Sequence, residues 1–382
     1  MRLTTYRFGL VTFGLLLWVN LTWAQTASTT GSLQLTLPPA VYAVAGEPLS
    51  IFYDNIVLTE TPERYRFDTE CAVGEDQTRC WTVRPTAADQ GTHALKVRVF
   101  EGDRLMAEAN TVLKVSARDT GQDRQLTLLL VGDSLTHATL YPNELARLLS
   151  RPGNPRWQML GTHRPAQAAE GVMHEGYGGW TWERFTRHYE PQPDPAARKH
   201  SSPFVFLVDG QPQLDVKRYL ETQATQGRPD VVFFMLGIND CFSANPASQA
   251  AMDERIDRVF QHAETLLTAF HEAAPQAALA ICLTTPPNAR ESGFEANYRG
   301  QYHRWGWKRI QHRLVQRQLE KFAGQEKQHR FIVPTNLDLD PVEGYPVNNG
   351  VHPNPLGYRQ VGMSLYAWLK WYVDPAANPV AE

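Results

Sequence analysis

The stretch LLLVGDSLTHATLYP, residues 128–142, decides how this chain is read. An apolar run from Leu128 to Val131 stops at Gly132, and Asp133 and Ser134 follow at once. An uninterrupted apolar run bounded by glycine fits a strand buried on both faces, as in a parallel sheet covered by helices. A serine just past the end of such a strand sits where open α/β sheets gather their working groups. The competing reading is a turn residue with no chemical role.

Downstream, the same pattern repeats. Apolar runs at RWQMLG, VVFFMLG, ALAICL and RFIV alternate with helical stretches such as NELARLLS, KRIQHRLVQRQLEKF and LGYRQVGMSLYAWLKWYV. Strands apolar throughout and separated by helices predict an α/β fold over residues 124–375, a parallel sheet between two helical layers. The segment GIND, residues 237–240, also falls where an apolar strand ends.

Upstream, from 32 to 117, the period becomes two. LQLTL, LSIFYDNIVL, RYRFD, CWTVRP, HALKVRVF and TVLKV alternate or run apolar, broken by Gly, Pro and Asp, and read as strand segments. Short strands with turn signals predict a small all-β, immunoglobulin-like antiparallel sandwich. It contains no cluster of catalytic residue types. The polar linker SARDTGQDRQ then suggests a module separable from the chemistry.

The first 24 residues read as a cleaved signal peptide, with Arg2 and Arg7 ahead of FGLLLWV and small residues Thr22 and Ala24 before the cut. The apolar stretch is shorter than the roughly 20 residues a membrane span needs, so no stable membrane insertion is expected. The mature protein is therefore expected to be periplasmic or secreted. In such a compartment Cys71 and Cys80, flanking AVGEDQTR, are expected to form a disulfide stapling a hairpin. Cys241 and Cys282, in or beside apolar strands, read as buried thiols.

Bulk composition excludes whole classes of function. The chain has 382 residues, 42% hydrophobic and 20% charged, with a formal net charge of −3. That balance gives no electrostatic footprint for nucleic acid. No Cys or His spacing matches a metal site, and no cofactor motif is present.

Serine catalysis needs a hydroxyl nucleophile, a base, a group that orients the base, and donors for the developing oxyanion. The Gly-x-Ser-x-Gly elbow of α/β-hydrolases is missing. In its place stands GDSLT, followed in order by HEGYGGWTW, LGIND and NNGVHPNPLGY. Any one of these alone is as well explained by a turn or a helix lead-in. Together and in this order they resemble the four blocks of the SGNH (GDSL) hydrolases, over about residues 126–375. The resemblance implies a three-layer, flavodoxin-like fold. It also implies Ser134 as nucleophile and His352 as general base. The oxyanion donors would be the Ser134 and Gly179 backbone N–H groups (Gly178 in the other register) and the Asn239 amide. The sandwich lies outside it.

One position departs from the pattern. The family carries Asp three residues before the His; here it is Asn349. Its amide oxygen can fix the imidazole tautomer but has no charge to stabilise an imidazolium. Asp338, Asp340 and Glu343 just upstream are alternative partners.

The resemblance also bounds the substrate to esters and thioesters. Export, an appended sandwich, and Trp180, Trp182 and Trp305 near the motifs favour a small-molecule or polysaccharide ester, with O-acetyl groups as the acyl part. An indole can stack on a sugar face while its N–H bonds a hydroxyl, and Asp133 is a further candidate contact. The same tryptophans suit core packing equally. A lipid-directed esterase, or a carbohydrate-binding protein with a weakened site, are the alternatives.

Overall fold

A computed structural model describes residues 33–194, 199–223 and 227–376. The expected signal peptide, residues 1–24, lies outside the described residues.

The N-terminal unit has nine strands. These are β1 (Gln34–Leu35), β2 (Ala40–Val44), β3 (Leu49–Phe52), β4 (Val57–Leu58), β5 (Arg66–Cys71), β6 (Glu75–Asp76), β7 (Cys80–Val83), β8 (Gly91–Glu101) and β9 (Arg104–Ser116). One sheet runs β2-β9-β8-β5, a second β3-β7-β6, and β1 pairs with β4. The two larger sheets enclose Val41, Ile51, Trp81, Val97 and Leu113. β2 pairs parallel with β9, an exception to the expected antiparallel pattern.

Two further expectations fail here. LSIFYDNIVL is broken after β3 by a single helical turn, α1 (Tyr53–Ile56), which turns Asn55 toward the C-terminal domain. Cys71 and Cys80 are free thiols, Cys71 ending β5 in one sheet and Cys80 opening β7 in the other. The AVGEDQTR turn instead feeds the β6–β7 pairing, Glu75 with Thr82 and Asp76 with Trp81.

The C-terminal domain is α/β. Its strands are β10 (Gln125–Gly132), β11 (Arg156–Leu160), β12 (Glu175–Gly176), β13 (Val205–Val208), β14 (Gln211–Leu214), β15 (Val231–Met235), β16 (Ala278–Cys282) and β17 (Arg330–Val333). The central sheet runs β11-β10-β15-β16-β17, parallel throughout, with β12 extending beside the end of β10. β13 and β14 form a separate hairpin. Every residue of β15 and β16 is buried, including Cys282, so both faces of the sheet are covered.

The covering helices are α3 (Leu140–Leu149) packed on α10 (Pro355–Tyr372), and α7 (Gln249–Ala273) packed on α4 (Trp182–Arg187), α5 (Val216–Thr222) and α9 (Arg304–Phe322). Three short helices, α2 (Ser134–His137), α6 (Ile238–Cys241) and α8 (Glu291–Tyr298), follow strand ends. The chain reverses direction across the sheet between β10 and β15, which opens a crevice at their carboxyl ends. No described helix is long and apolar enough to cross a membrane.

The sandwich is not a loosely tethered module. Leu337, from the segment between β17 and α10, is buried in the sandwich core. Asn55 Nδ2 donates to the carbonyls of Leu337 and Leu339 at 3.1 and 2.8 Å. The buried Lys308 ammonium on α9 pairs with Asp54 and donates to its carbonyl at 2.9 Å. On the other helical layer, Tyr42 packs on Trp371 with ring centroids 4.9 Å apart. Buried apolar and charged contacts of this kind stabilise one docked arrangement, contrary to the separable module expected from the linker.

Candidate active site

Ser134 begins α2 directly after β10. Asp133 caps that helix, its Oδ1 accepting from Leu135 N at 3.0 Å. The strand end must be glycine: a Cβ on Gly132 would lie 1.9 Å from Thr136 Oγ1. Gly176 on β12 meets the other side of the same threonine, 2.5 Å from its Cβ. Thr136, fixed by a 2.6 Å hydrogen bond with Tyr141 Oη, thus wedges α2 between two strand ends and sets where Ser134 points.

His352 arrives from the opposite end of the domain, 218 residues away in sequence. Its Nε2 lies 2.8 Å from Ser134 Oγ. Its Nδ1 lies 3.2 Å from Asn349 Oδ1. The same Oδ1 accepts from Val351 N at 3.1 Å and His352 N at 2.9 Å. Reversing the amide would set its NH₂ against two backbone donors, so the local backbone dictates that the oxygen faces the ring. An acceptor at Nδ1 places the proton there and leaves the Nε2 lone pair for the serine hydroxyl. Burial lowers the His352 pKa below its ordinary value, which favours the neutral imidazole. Asn354 then caps α10, with Pro355 in its first turn, anchoring the far end of the segment.

The three carboxylates considered as alternatives are engaged elsewhere. Asp338 Oδ1 accepts from Ser50 N of the sandwich at 2.7 Å, and burial holds its carboxyl well above the usual range. Asp340 takes a two-point contact from Arg79, at 3.1 and 2.8 Å. Glu343 faces Arg290 at 3.7 Å. The segment carrying His352 is therefore held by the sandwich through two of them.

Asn239 lies on α6, after β15. Its Nδ2 donates to Trp180 O at 3.1 Å and reaches Asp133 Oδ2 at 3.4 Å. Next to it, Asp240 Oδ1 accepts from Trp182 N at 3.0 Å. These bonds tie the GGWT loop to the strand end that carries Asn239. Burial pushes both Asp133 and Asp240 up to about 7. Gly178 and Gly179 are exposed at the tip of the loop, and Gly179 has φ +77°, which favours glycine.

The tryptophans and Asp133 depart from the sugar-contact expectation. Asp133 is buried as a helix cap. Trp182 is buried and stacks on Phe234 at 5.4 Å. Trp180 is 2% exposed, with His200 stacked on it at 5.0 Å and the Arg184 guanidinium 5.0 Å from its centroid. Its ring is fully engaged within the protein. Trp305 alone of the three is half-buried, on the first turn of α9, at the edge where the parallel strands end.

Trp180, alone of the three tryptophans, lines a cavity of about 360 Å³ whose walls also include His137, His163, Gly178, Arg184 and His200. His137 stands three residues along α2 from Ser134, and Gly178 is next to Gly179 in the loop before α4. Of the lining residues, His137, His163, Arg184 and His200 were missed in the sequence. They lie scattered between positions 137 and 200, and the one signal was His137 at helical spacing from Ser134.

Residues 130–360 match the GDSL-like Lipase/Acylhydrolase family. A search of curated proteins returned no match. Among solved structures, the chain is similar to a Clostridium thermocellum family 3 carbohydrate esterase at 17% identity, with 64% of this chain and 94% of that one covered and a TM-score of 0.38. It is also similar to a family 3 carbohydrate esterase from Talaromyces cellulolyticus at 16% identity, covering 65% and 98%, TM-score 0.39. A third is the M. smegmatis aryl esterase at 17% identity, covering 64% and 98%, TM-score 0.36. On the family match over residues 130–360, the chain belongs to the GDSL-like lipase/acylhydrolase family of the SGNH superfamily and is a hydrolase of ester bonds.

Proposed function

We propose that the protein is an exported serine esterase that removes O-acetyl or similarly small acyl groups from carbohydrate. The observation that carries this reading is the 2.8 Å contact between Ser134 Oγ and His352 Nε2, with the other ring nitrogen on Asn349 Oδ1. Ser134 Oγ attacks the ester carbonyl while His352 Nε2 takes its proton. The imidazolium then protonates the leaving alkoxide, and water repeats the sequence to release the acid.

The developing oxyanion would be met by the backbone N–H groups of Ser134 and Gly179 and by Asn239. Of the two Asn239 N–H groups, one donates firmly to Trp180 O and the other reaches Asp133 only at 3.4 Å. That second hydrogen is the one available to the oxyanion. Preorganised donors of this type act mainly in the transition state.

A carbohydrate substrate is favoured over a lipid because the cavity around Arg184 is lined by imidazoles, a guanidinium and hydroxyls rather than aliphatic chains. Export rests on the N-terminal leader pattern, with cleavage after Ala24.

The test is p-nitrophenyl acetate turnover and acetate release from acetylated polysaccharides, by wild type and by Ser134→Ala with an unchanged circular dichroism spectrum. Turnover lost in the variant supports the reading. Equal turnover in both proteins refutes it.

A further inference from the structure

The cavity around Arg184 has a charge character that the esterase reading does not use. Arg184, half-buried on α4, makes no ion pair among the described residues. Its neighbour Glu183 faces Arg187 and His262, both at 3.9 Å, and so leaves Arg184 alone. The nearest polar side-chain contact of the guanidinium is His188 Nε2 at 3.5 Å. That ring has its pKa lowered, first by burial and then by Arg184 itself, so it accepts as a neutral base.

Several other arginines of the domain are neutralised by carboxylates, while Arg228 and Arg255 bond backbone carbonyls. Arg147 pairs with Glu144, Arg313 with Asp253, Arg317 with Asp257, and Arg330 with Glu264. Glu190 lies near His188, its backbone N–H donating to Ser201 Oγ at 2.9 Å, and makes no ion pair with Arg184 among the described residues; the other acid near the cavity, Glu175, is fully buried. Its oxygens are consumed by Tyr177, Tyr219 and Thr162, and it lines no part of the wall.

Among the described residues, the cavity wall carries one guanidinium without an ion-pair partner and no carboxylate. The rest of the wall mixes imidazoles and hydroxyls with the surfaces of Tyr177, Trp180 and Pro203. His163 Nε2 and His137 Nδ1 are 3.1 Å apart, so one ring nitrogen donates to the other. Burial and the neighbouring histidines push His163 down to about 4. Trp180, engaged by His200 and Arg184, offers no open face for a neutral sugar to stack on. What such a site recognises is a single planar anion, which the guanidinium fork matches in geometry as well as charge. The cavity volume, about 360 Å³, falls within the range of small-molecule sites.

We propose that this cavity is a subsite for an acidic sugar, a uronate residue whose carboxylate pairs with Arg184 while an ester on the same or the adjoining residue lies at Ser134. The proposal rests on the esterase reading only for the position of the ester; the anion site stands on its own lining. It makes the substrate an acylated polyuronate rather than an acylated neutral polysaccharide.

The test is calorimetric titration of the full chain with trigalacturonate and with its methyl ester, which has the same shape without the charge. Wild type is expected to bind the free acid about tenfold or more tightly than the ester, as a charge-assisted bond at a partly desolvated site gives. The preference should shrink with added salt. Arg184→Gln is expected to erase it and Arg184→Lys to keep part of it. Arg187→Gln, an exposed arginine on the same helix, should leave it intact.

Equal affinity for acid and ester, no binding of either, or a preference that survives in Arg184→Gln would each overturn the proposal. Turnover of p-nitrophenyl acetate, measured alongside, separates the two ideas. Turnover without charge-selective binding strikes the uronate subsite alone, whereas charge-selective binding without turnover strikes the esterase reading alone.

Discussion

Asn349→Asp puts a carboxylate 3.2 Å from His352 Nδ1, where the chain has a neutral amide. The geometry should survive, because a carboxylate oxygen accepts from Val351 N and His352 N as the amide oxygen does. A charge pair at that distance is worth about 5 kcal/mol at an effective dielectric of about 20. Part of this is offset by the cost of placing a carboxylate in a partly buried site. A net shift of about 1–3 pKa units, roughly 1.4–4 kcal/mol, is expected.

The sign follows from which form of the base is favoured. In the native chain burial lowers the His352 pKa, so the imidazole remains neutral and competent to below its ordinary value of 6.5. The carboxylate stabilises the imidazolium, raises that pKa, and protonates the base over more of the acidic range. The acid limb of kcat/KM against pH should therefore move up by about 1–3 units. The plateau above it should be retained or raised, since the imidazolium formed in the transition state is stabilised too. The assay is the pH profile of p-nitrophenyl acetate hydrolysis for both proteins. An acid limb that does not move would refute the placement of this side chain against the base.

Further outcomes follow from other contacts. Asn239→Ala should lower kcat by about 10²–10³ with little change in KM, read from steady-state kinetics; a raised KM alone would make it a binding residue. Gly176→Ala sets a methyl against Thr136 and should cost about 1–3 kcal/mol by denaturant titration. Asp54→Asn leaves the buried Lys308 ammonium without its counter-charge and should destabilise the chain by about 3–5 kcal/mol in the same measurement. A chain beginning at Asp119 would expose Leu337 and strip Asp338 and Asp340 of their sandwich partners, so it should be recovered as aggregate; a soluble, active product would show that the docking is not needed.

Local order along the chain was enough for the α/β class. Apolar runs without alternation mark strands buried on both faces, and that is a property of each segment by itself. Four short motifs in a fixed order pointed, through their resemblance to a known family, to Ser134, Gly179, Asn239, Asn349 and His352, and the fold brings Ser134, His352 and Asn349 into hydrogen-bond contact. What local sequence leaves open is what a side chain meets across the fold. Only the tertiary structure decides that Asp338 and Asp340 face the sandwich and not His352, that Trp180 and Trp182 are packing residues, and that Cys71 and Cys80 stand in different sheets. The same holds for the cavity around Arg184, whose walls come from α2, α4 and loops far apart in sequence. A residue's type and neighbours set its conformation and burial tendency, but its partners are fixed by how distant elements dock, and a linear pattern carries no record of that.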